Sequence, residues 1–155
     1  MATIDFPLPD RSWPALAPFW SAAQRSELCL PKCGACGQLN WYPQDQCGGC
    51  GGPDFNWVRM SGRGTLFSWA IVNRALHPPL AALAPYVSAI VTLEEDVDTR
   101  LVTRIVDANP DDLLTDQPVE VYFADLGYPA CETGVISPLF RIARGVVDRA
   151  AGPSR

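Results

Sequence analysis

The sequence has one histidine, His77, and one lysine, Lys32, among 155 residues. A lone histidine leaves little room for acid–base catalysis, because the usual general base needs a carboxylate or nucleophile beside it. His77 sits in the proline-rich segment Leu76-His77-Pro78-Pro79, where no local motif supplies that partner, so it reads as a loop histidine. The G-x-S-x-G, P-loop and G-x-G-x-x-G patterns are missing. Ser61-Gly62-Arg63-Gly64 is too short for a phosphate cradle and lacks the helix that should follow one. Glu94, Glu95 and Asp96 close a strand, and neighbouring carboxylates on a strand point to opposite faces. Cys131 has no histidine near it in sequence. The expectation is a protein that is not itself an enzyme.

Positive charge is also scarce. Twelve cations stand against 17 acidic residues, a formal net charge of −5. Nucleic-acid binders need a basic footprint, and the chain has no overall one. Met1 to Asp10 hold neither a basic n-region nor an apolar h-region, so no secretory signal is expected. No apolar run reaches the roughly 18 residues of a membrane helix. The longest candidate, Leu76 to Leu93, is broken by Pro78, Pro79 and Pro85. A soluble, cytoplasmic protein without a membrane partner is expected.

What the sequence does hold is an ordinary globular balance, 48% hydrophobic and 19% charged, enough for one core and a small satellite. It also holds six cysteines, four of them in two pairs, Cys33-Gly-Ala-Cys36 and Cys47-Gly-Gly-Cys50. Two residues between paired cysteines let both sulfurs reach one ion from a tight turn. Two such turns supply four thiolates, the closed tetrahedral shell of a structural metal. Gly37 and Gly51 follow the two pairs, where positive φ is often needed. A redox dithiol should open a helix in a βαβ setting, and none follows here. Four sulfurs alone do not separate zinc from the iron of a rubredoxin-like centre. Cys29 lies four residues before Cys33 and reads as a small buried apolar residue rather than a ligand. A closed four-thiolate site has no position for water, so the metal holds together a module too small for its own core.

The fold class expected is mostly β: a short N-terminal helix, a zinc ribbon, then a five-stranded OB-fold barrel. The arm and helix occupy residues 1–27, with Pro18 opening a helix that runs to about Ser26 and shares Phe19, Ala22 and Ala23 on one face. The ribbon occupies 28–60, with short strands at Leu28–Pro31, Leu39–Tyr42 and Phe55–Met60. The barrel occupies 61–147, and 148–155 form a tail. Its strands are Thr65–Asn73, Val87–Glu94, Arg100–Asp107, a fourth carrying Val119, Val121 and Phe123 on one face, and Leu139–Ala143 with Phe140 and Ile142 inward. Asn109-Pro110-Asp111-Asp112 opens one helical turn ending near Asp116. Period-2 alternation over five runs with one helical insert after the third fits such a barrel.

The order of these residues resembles a known family. It comprises Phe19-Trp20 on a short helix, the two knuckles, Ser61-Gly62-Arg63-Gly64-Thr65 opening a strand, and Pro85-Tyr86-Val87 leading into Val91-Thr92-Leu93-Glu94. This is similar to the acyl-CoA-associated proteins with an N-terminal rubredoxin-like zinc ribbon and a C-terminal OB-fold, long a domain of unknown function. The resemblance implies an accessory subunit that associates with thiolase-like enzymes or hot-dog hydratases and their acyl-CoA. On that reading Cys33, Cys36, Cys47 and Cys50 hold one structural zinc. Arg63, Trp69, Arg74 and Tyr86, near the ribbon–barrel boundary with Trp57 and the 76–80 loop, are then the candidates for acyl-CoA or partner contact, since interfaces favour Trp, Tyr and Arg. The alternative is an OB-fold that binds single-stranded nucleic acid on a face of Phe67, Trp69, Arg74 and Arg104. The low basic content argues against it. Gly127–Ser137 has no counterpart in the resemblance.

Overall fold

A computed structural model of the chain describes residues 6–144; the first five residues of the arm, the last three of the expected 61–147 barrel and the 148–155 tail lie outside the described residues. The helix α1 covers Ala17–Gln24, with Pro18 in its first turn. Phe19, Ala22 and Ala23 are its buried residues, as their spacing predicts. It ends earlier than expected: Arg25 donates its amide to Ala22 O, and Ser26 turns at φ 58°. Eight residues are too few for an independent helix, and α1 packs on the strands β1 and β7 described below.

In the ribbon, β1 (Cys29–Cys33) runs antiparallel to β2 (Phe55–Arg59), from Cys29 opposite Arg59 to Cys33 opposite Phe55. The strand expected at Leu39–Tyr42 does not form. A single bridge joins Leu39 to Lys32. Asn40 donates its amide to Pro31 O at 2.9 Å, but Pro31 has no N–H to return, so the ladder stops after one rung.

The barrel strands are β3 (Arg63–Val72), β4 (Tyr86–Leu93), β5 (Asp96–Ile105), β6 (Pro118–Asp125) and β7 (Ile136–Ile142). Their order is β3-β4-β5-β7-β6, and β6 closes back on β3. The junction of β5 with β7 is parallel, at Ile105 opposite Phe140; the other barrel pairings are antiparallel. On β4 Val87, Ala89, Val91 and Leu93 are all buried, and the alternation breaks only at Thr92, which is buried as well with its hydroxyl bonded to that of Thr65. Leu101 and Ile105 continue that layer on β5, while Val102 points out. A register shift between Leu66 and Ser68 makes Phe67 a bulge residue and leaves it exposed. A 3₁₀ turn at Pro78–Leu83 lies in the expected loop, and the turn at Pro110–Asp112 stops short of Asp116. The strand β7 starts three residues before Leu139 and takes in the end of the unplaced 127–137 segment. Phe19, Leu28, Leu30, Leu39 and Met60 form one continuous core with Leu66, Val91 and Phe140, so ribbon and barrel share their apolar packing.

Candidate metal centre and adjoining cavity

Both knuckles are built alike. In the first, Gly37 donates its amide to Cys33 O at 3.0 Å; in the second, Gly51 donates to Cys47 O at 2.8 Å. The turn needs φ of 78° at Gly37 and 74° at Gly51, a region that favours glycine. Cys33 donates its amide to Gln38 O, and Cys47 donates to Gly52 O, each at 2.8 Å. These bonds point four sulfurs at one place, all within 4.8 Å of one another. Cys33 Sγ lies 3.6 Å from Cys50 Sγ, and Cys36 Sγ lies 3.6 Å from Cys47 Sγ.

The electrostatics suit thiolates. Amides of Cys50 and Gly49 bring the Cys47 thiol down to about 6, and the Asn40 amide adds to them. Gly49 N lies 3.4 Å and Asn40 Nδ2 3.5 Å from Cys47 Sγ. Amides of Cys36 and Ala35 lower Cys33 in the same way. The Gln38 amide also pulls Cys36 down, but the adjoining sulfurs of Cys50 and Cys47 outweigh it and push that thiol up to about 12. Four thiols crowded together resist losing all their protons, and a divalent cation at their centre removes that cost. The donor set fits a metal with a sulfur-only tetrahedral shell and no open position. Asn40 orients Cys47 from outside the shell, donating to Gln38 O and accepting from Gly48 N at 2.9 Å. Sequence reasoning missed Asn40, which it placed on a strand. Cys29 and Cys131 stay outside the cluster, both half-buried, and burial raises the Cys29 thiol.

The four residues nominated for contact are not gathered together. Arg63 is exposed and held in an ion pair with Glu94, Nε to Oε2 at 2.7 Å. Trp69 packs against the core from β3. Arg74 is exposed beyond the end of β3. Tyr86 alone of the four lines a cavity of about 400 Å³. Trp57 packs against the shared core, away from that lining. Nor do Phe67, Trp69, Arg74 and Arg104 make one face. Trp69 pairs with inward Ala89, whereas Arg104 pairs with Ser88, so the two side chains leave the sheet on opposite sides. The ring of Phe67 carries the Arg100 guanidinium 4.0 Å above its centroid.

The cavity lies between α1, the Trp41–Tyr42 end of the ribbon, the Pro78–Leu83 turn and the barrel strands β4, β5 and β7. Phe19, Leu80, Leu83 and Leu139 give it apolar walls, and Arg104 stands in its lining.

Residues 20–56 match the ChsH2 rubredoxin-like zinc ribbon domain, and residues 57–124 match the ChsH2 C-terminal OB-fold domain. The chain belongs to the ChsH2 family. It is 33% identical over 119 residues to a DUF35 domain-containing scaffold protein of Methanothermobacter thermautotrophicus, covering 76% of this chain and 86% of that one. It is 37% identical over 102 residues to a probable enoyl-CoA hydratase alpha subunit of Thermomonospora curvata. That match covers 65% of this chain but only 31% of the hydratase subunit. Among solved structures, the Ltp2-ChsH2(DUF35) aldolase contains a chain with 31% identity and a TM-score of 0.71, covering 88% of this chain and 98% of that one. A DUF35-family protein of unknown function from Sulfolobus solfataricus shares the fold, with a TM-score of 0.56 at 12% identity over 84% of this chain and 87% of that one. Ribbon, barrel and acyl-CoA-related relatives agree with the resemblance read from the residues. Among the described residues, no helix is long and apolar enough to cross a membrane.

Proposed function

We propose that this chain is a non-catalytic accessory subunit. It binds a thiolase-like enzyme, or a hydratase of the hot-dog class, and keeps that enzyme's acyl-CoA near their junction. The observation that carries the reading is the closed sulfur cluster on a ribbon that shares its core with an OB-fold barrel. A shell of four thiolates has no site for substrate or water, so its metal acts on structure. Cys33, Cys36, Cys47 and Cys50 hold one zinc, whose chemistry here is to cross-link two knuckles. The ribbon and the barrel, which share one core, then serve as one body for docking. The relatives support this in kind: one is named a scaffold protein, and another is the DUF35 part of an aldolase.

Co-expression with the thiolase-like and hydratase genes encoded beside it tests the reading. A stoichiometric complex on size exclusion is expected, with acyl-CoA turnover only when the partner is present. Failure to associate with any such enzyme, or turnover by the isolated chain, would overturn it.

A further inference from the structure

The metal centre has an inner and an outer half. Cys33 and Cys47, the first cysteine of each knuckle, are both only 3% exposed. Cys36 and Cys50, the second of each, lie open to solvent. The chain around them leaves that side bare. Residues 34–38 and 48–51 are all exposed, and apart from the two cysteines only Ala35 and Gln38 among them carry a side chain. A Cβ on Gly51 would meet nothing within 4 Å. On Gly52 it would touch two of the sulfurs, Cys50 Sγ at 3.4 Å and Cys33 Sγ at 3.6 Å. Glycine therefore keeps bulk away from the outer side of the cluster. A thiolate is a nucleophile, and exposure decides which of several thiolates reacts.

The sulfur distances say where such a reaction ends. Cys36 Sγ lies 3.6 Å from the buried Cys47 Sγ, and Cys50 Sγ lies 3.6 Å from the buried Cys33 Sγ. Each exposed sulfur thus has a buried one from the opposite knuckle beside it. A disulfide needs about 2.0 Å between sulfurs, so a small closure joins either pair. Cys29 and Cys131 stand outside the cluster and have no place in this pairing.

We infer that the outer face of the metal centre is an oxidation site for hydroperoxides, at which zinc-held knuckles become disulfide-held ones, Cys36 joined to Cys47 and Cys33 to Cys50. The Cys36 thiolate attacks the peroxide O–O bond, keeps one oxygen as a sulfenic acid, and the other leaves as hydroxide. The Cys47 thiolate then attacks the sulfenic sulfur, forms the S–S bond and expels a second hydroxide. Each sulfur has lost one electron, and the peroxide has taken both. Two remaining thiolates are too few for the closed shell, which releases its ion. A second peroxide oxidises Cys50 and Cys33 by the same two steps. Both links cross between the knuckles, so the ribbon stays tied after the metal has gone. Links within a knuckle, Cys33 to Cys36 and Cys47 to Cys50, would instead leave the two knuckles free to part. The site rests on the metal reading given above for its thiolates; the pairing rests on the sulfur distances alone.

The full, zinc-loaded chain is treated with hydrogen peroxide beside the zinc indicator pyridylazoresorcinol. Release of one zinc per chain is expected, with about two peroxides consumed. An endoprotease that cuts before aspartate then separates the knuckles into the fragments Asp10–Gln44 and Asp45–Pro53. Without reduction the two should appear as one disulfide-joined mass, and fragmentation should assign Cys36 to Cys47 and Cys33 to Cys50. Cys29→Ala, which removes the third cysteine of the first fragment, should give the same joined mass less the substitution. The oxidised chain should also regain at least about half of the melting temperature that chelation of the reduced chain takes away. Zinc retained under peroxide, fragments that separate with internal disulfides, links through Cys29, or a melt no higher than that of the chelated chain would overturn the inference. Protein that carries no zinc at the outset overturns the metal reading instead, and its digest after oxidation still decides the pairing.

Discussion

Thr133 meets Asp125 three times: its amide donates to both carboxylate oxygens, at 2.8 and 2.9 Å, and its hydroxyl donates to Oδ1 at 2.9 Å. Gly127 and Gly134 add their amides at 2.9 and 2.7 Å. The 127–134 loop is thus wrapped around one carboxylate at the end of β6. Leu126 closes it by donating its amide to Val135 O, and Val135 is fully buried.

The first prediction concerns acid. Burial raises the Asp125 pKa, but the donated bonds from Gly127, Thr133 and Gly134 outweigh it and hold the carboxyl below its ordinary value. A depressed carboxylate gives stability that is fully present above the unfolded-state pKa and is lost as pH falls through the folded one. Stability should therefore drop between about pH 5 and pH 3, around the ordinary carboxylate range. Asp125→Ala should cost about 1–2 kcal/mol at pH 7, at the lower end for charge-assisted bonds because the group is partly solvated. The same variant should flatten the acid limb. Urea melts at several pH values check both, and a loss independent of pH would contradict the assignment.

A second prediction comes from the strand that opens the barrel. Gly64 lies in β3 between two partners, opposite Leu93 on β4 and Val119 on β6. A Cβ there would run into the Thr92 carbonyl, which is backbone and has little freedom to move. Gly64→Ala should destabilise the chain by about 1–3 kcal/mol, the usual cost of overpacking, despite alanine's smaller unfolded-state entropy. Arg63→Ala next to it removes a pair with both partners largely exposed and should cost under about 1 kcal/mol. Thermal melts of the two variants side by side give the comparison. If Arg63→Ala proves the more damaging, the role given to Gly64 is wrong.

Much of this fold is legible in the sequence. The alternation Val87, Ala89, Val91, Leu93 has a period that only a half-buried strand satisfies, and the structure buries all four. The knuckles were readable because a metal site writes its ligands at fixed short spacings. Pro31 also sat in plain view, but its effect depends on which residue lies opposite; only the pairing with Asn40 shows that a ladder stops there. Arg104 was placed correctly on its strand, yet nothing local says that its guanidinium meets carbonyls of Leu126 and Tyr128, more than twenty residues on. The cavity needs α1, the ribbon's end and the barrel all at once. Features made by contacts far apart in sequence are invisible to periodicity, and the cavity wall is such a feature.

The last prediction is the metal itself. Protein made under reducing conditions should carry one zinc per chain by elemental analysis; an iron site would instead absorb in the visible, which d¹⁰ zinc does not. Cys36→Ser and Cys47→Ser should both lose the ion. They should not be equal. Cys47 is buried and receives the Gly49 amide and the Asn40 side chain, whereas Cys36 is exposed, so Cys47→Ser disturbs more of the knuckle. Chelation should also reach beyond the ribbon. Leu30 is fully buried and Leu39 and Met60 nearly so, in one core with Leu66 and Val91 of the barrel. When the knuckles open, β1 loses its anchor and that shared layer loosens. A loss of about 2 kcal/mol or more, or roughly 4–8 °C in melting temperature at this size, should follow for the whole chain. Near-ultraviolet circular dichroism separates the possibilities, because Trp57 and Trp69 lie against the same core from the two sides. A melt unchanged by chelation, with zinc shown to be gone, would mean that the barrel stands without its ribbon.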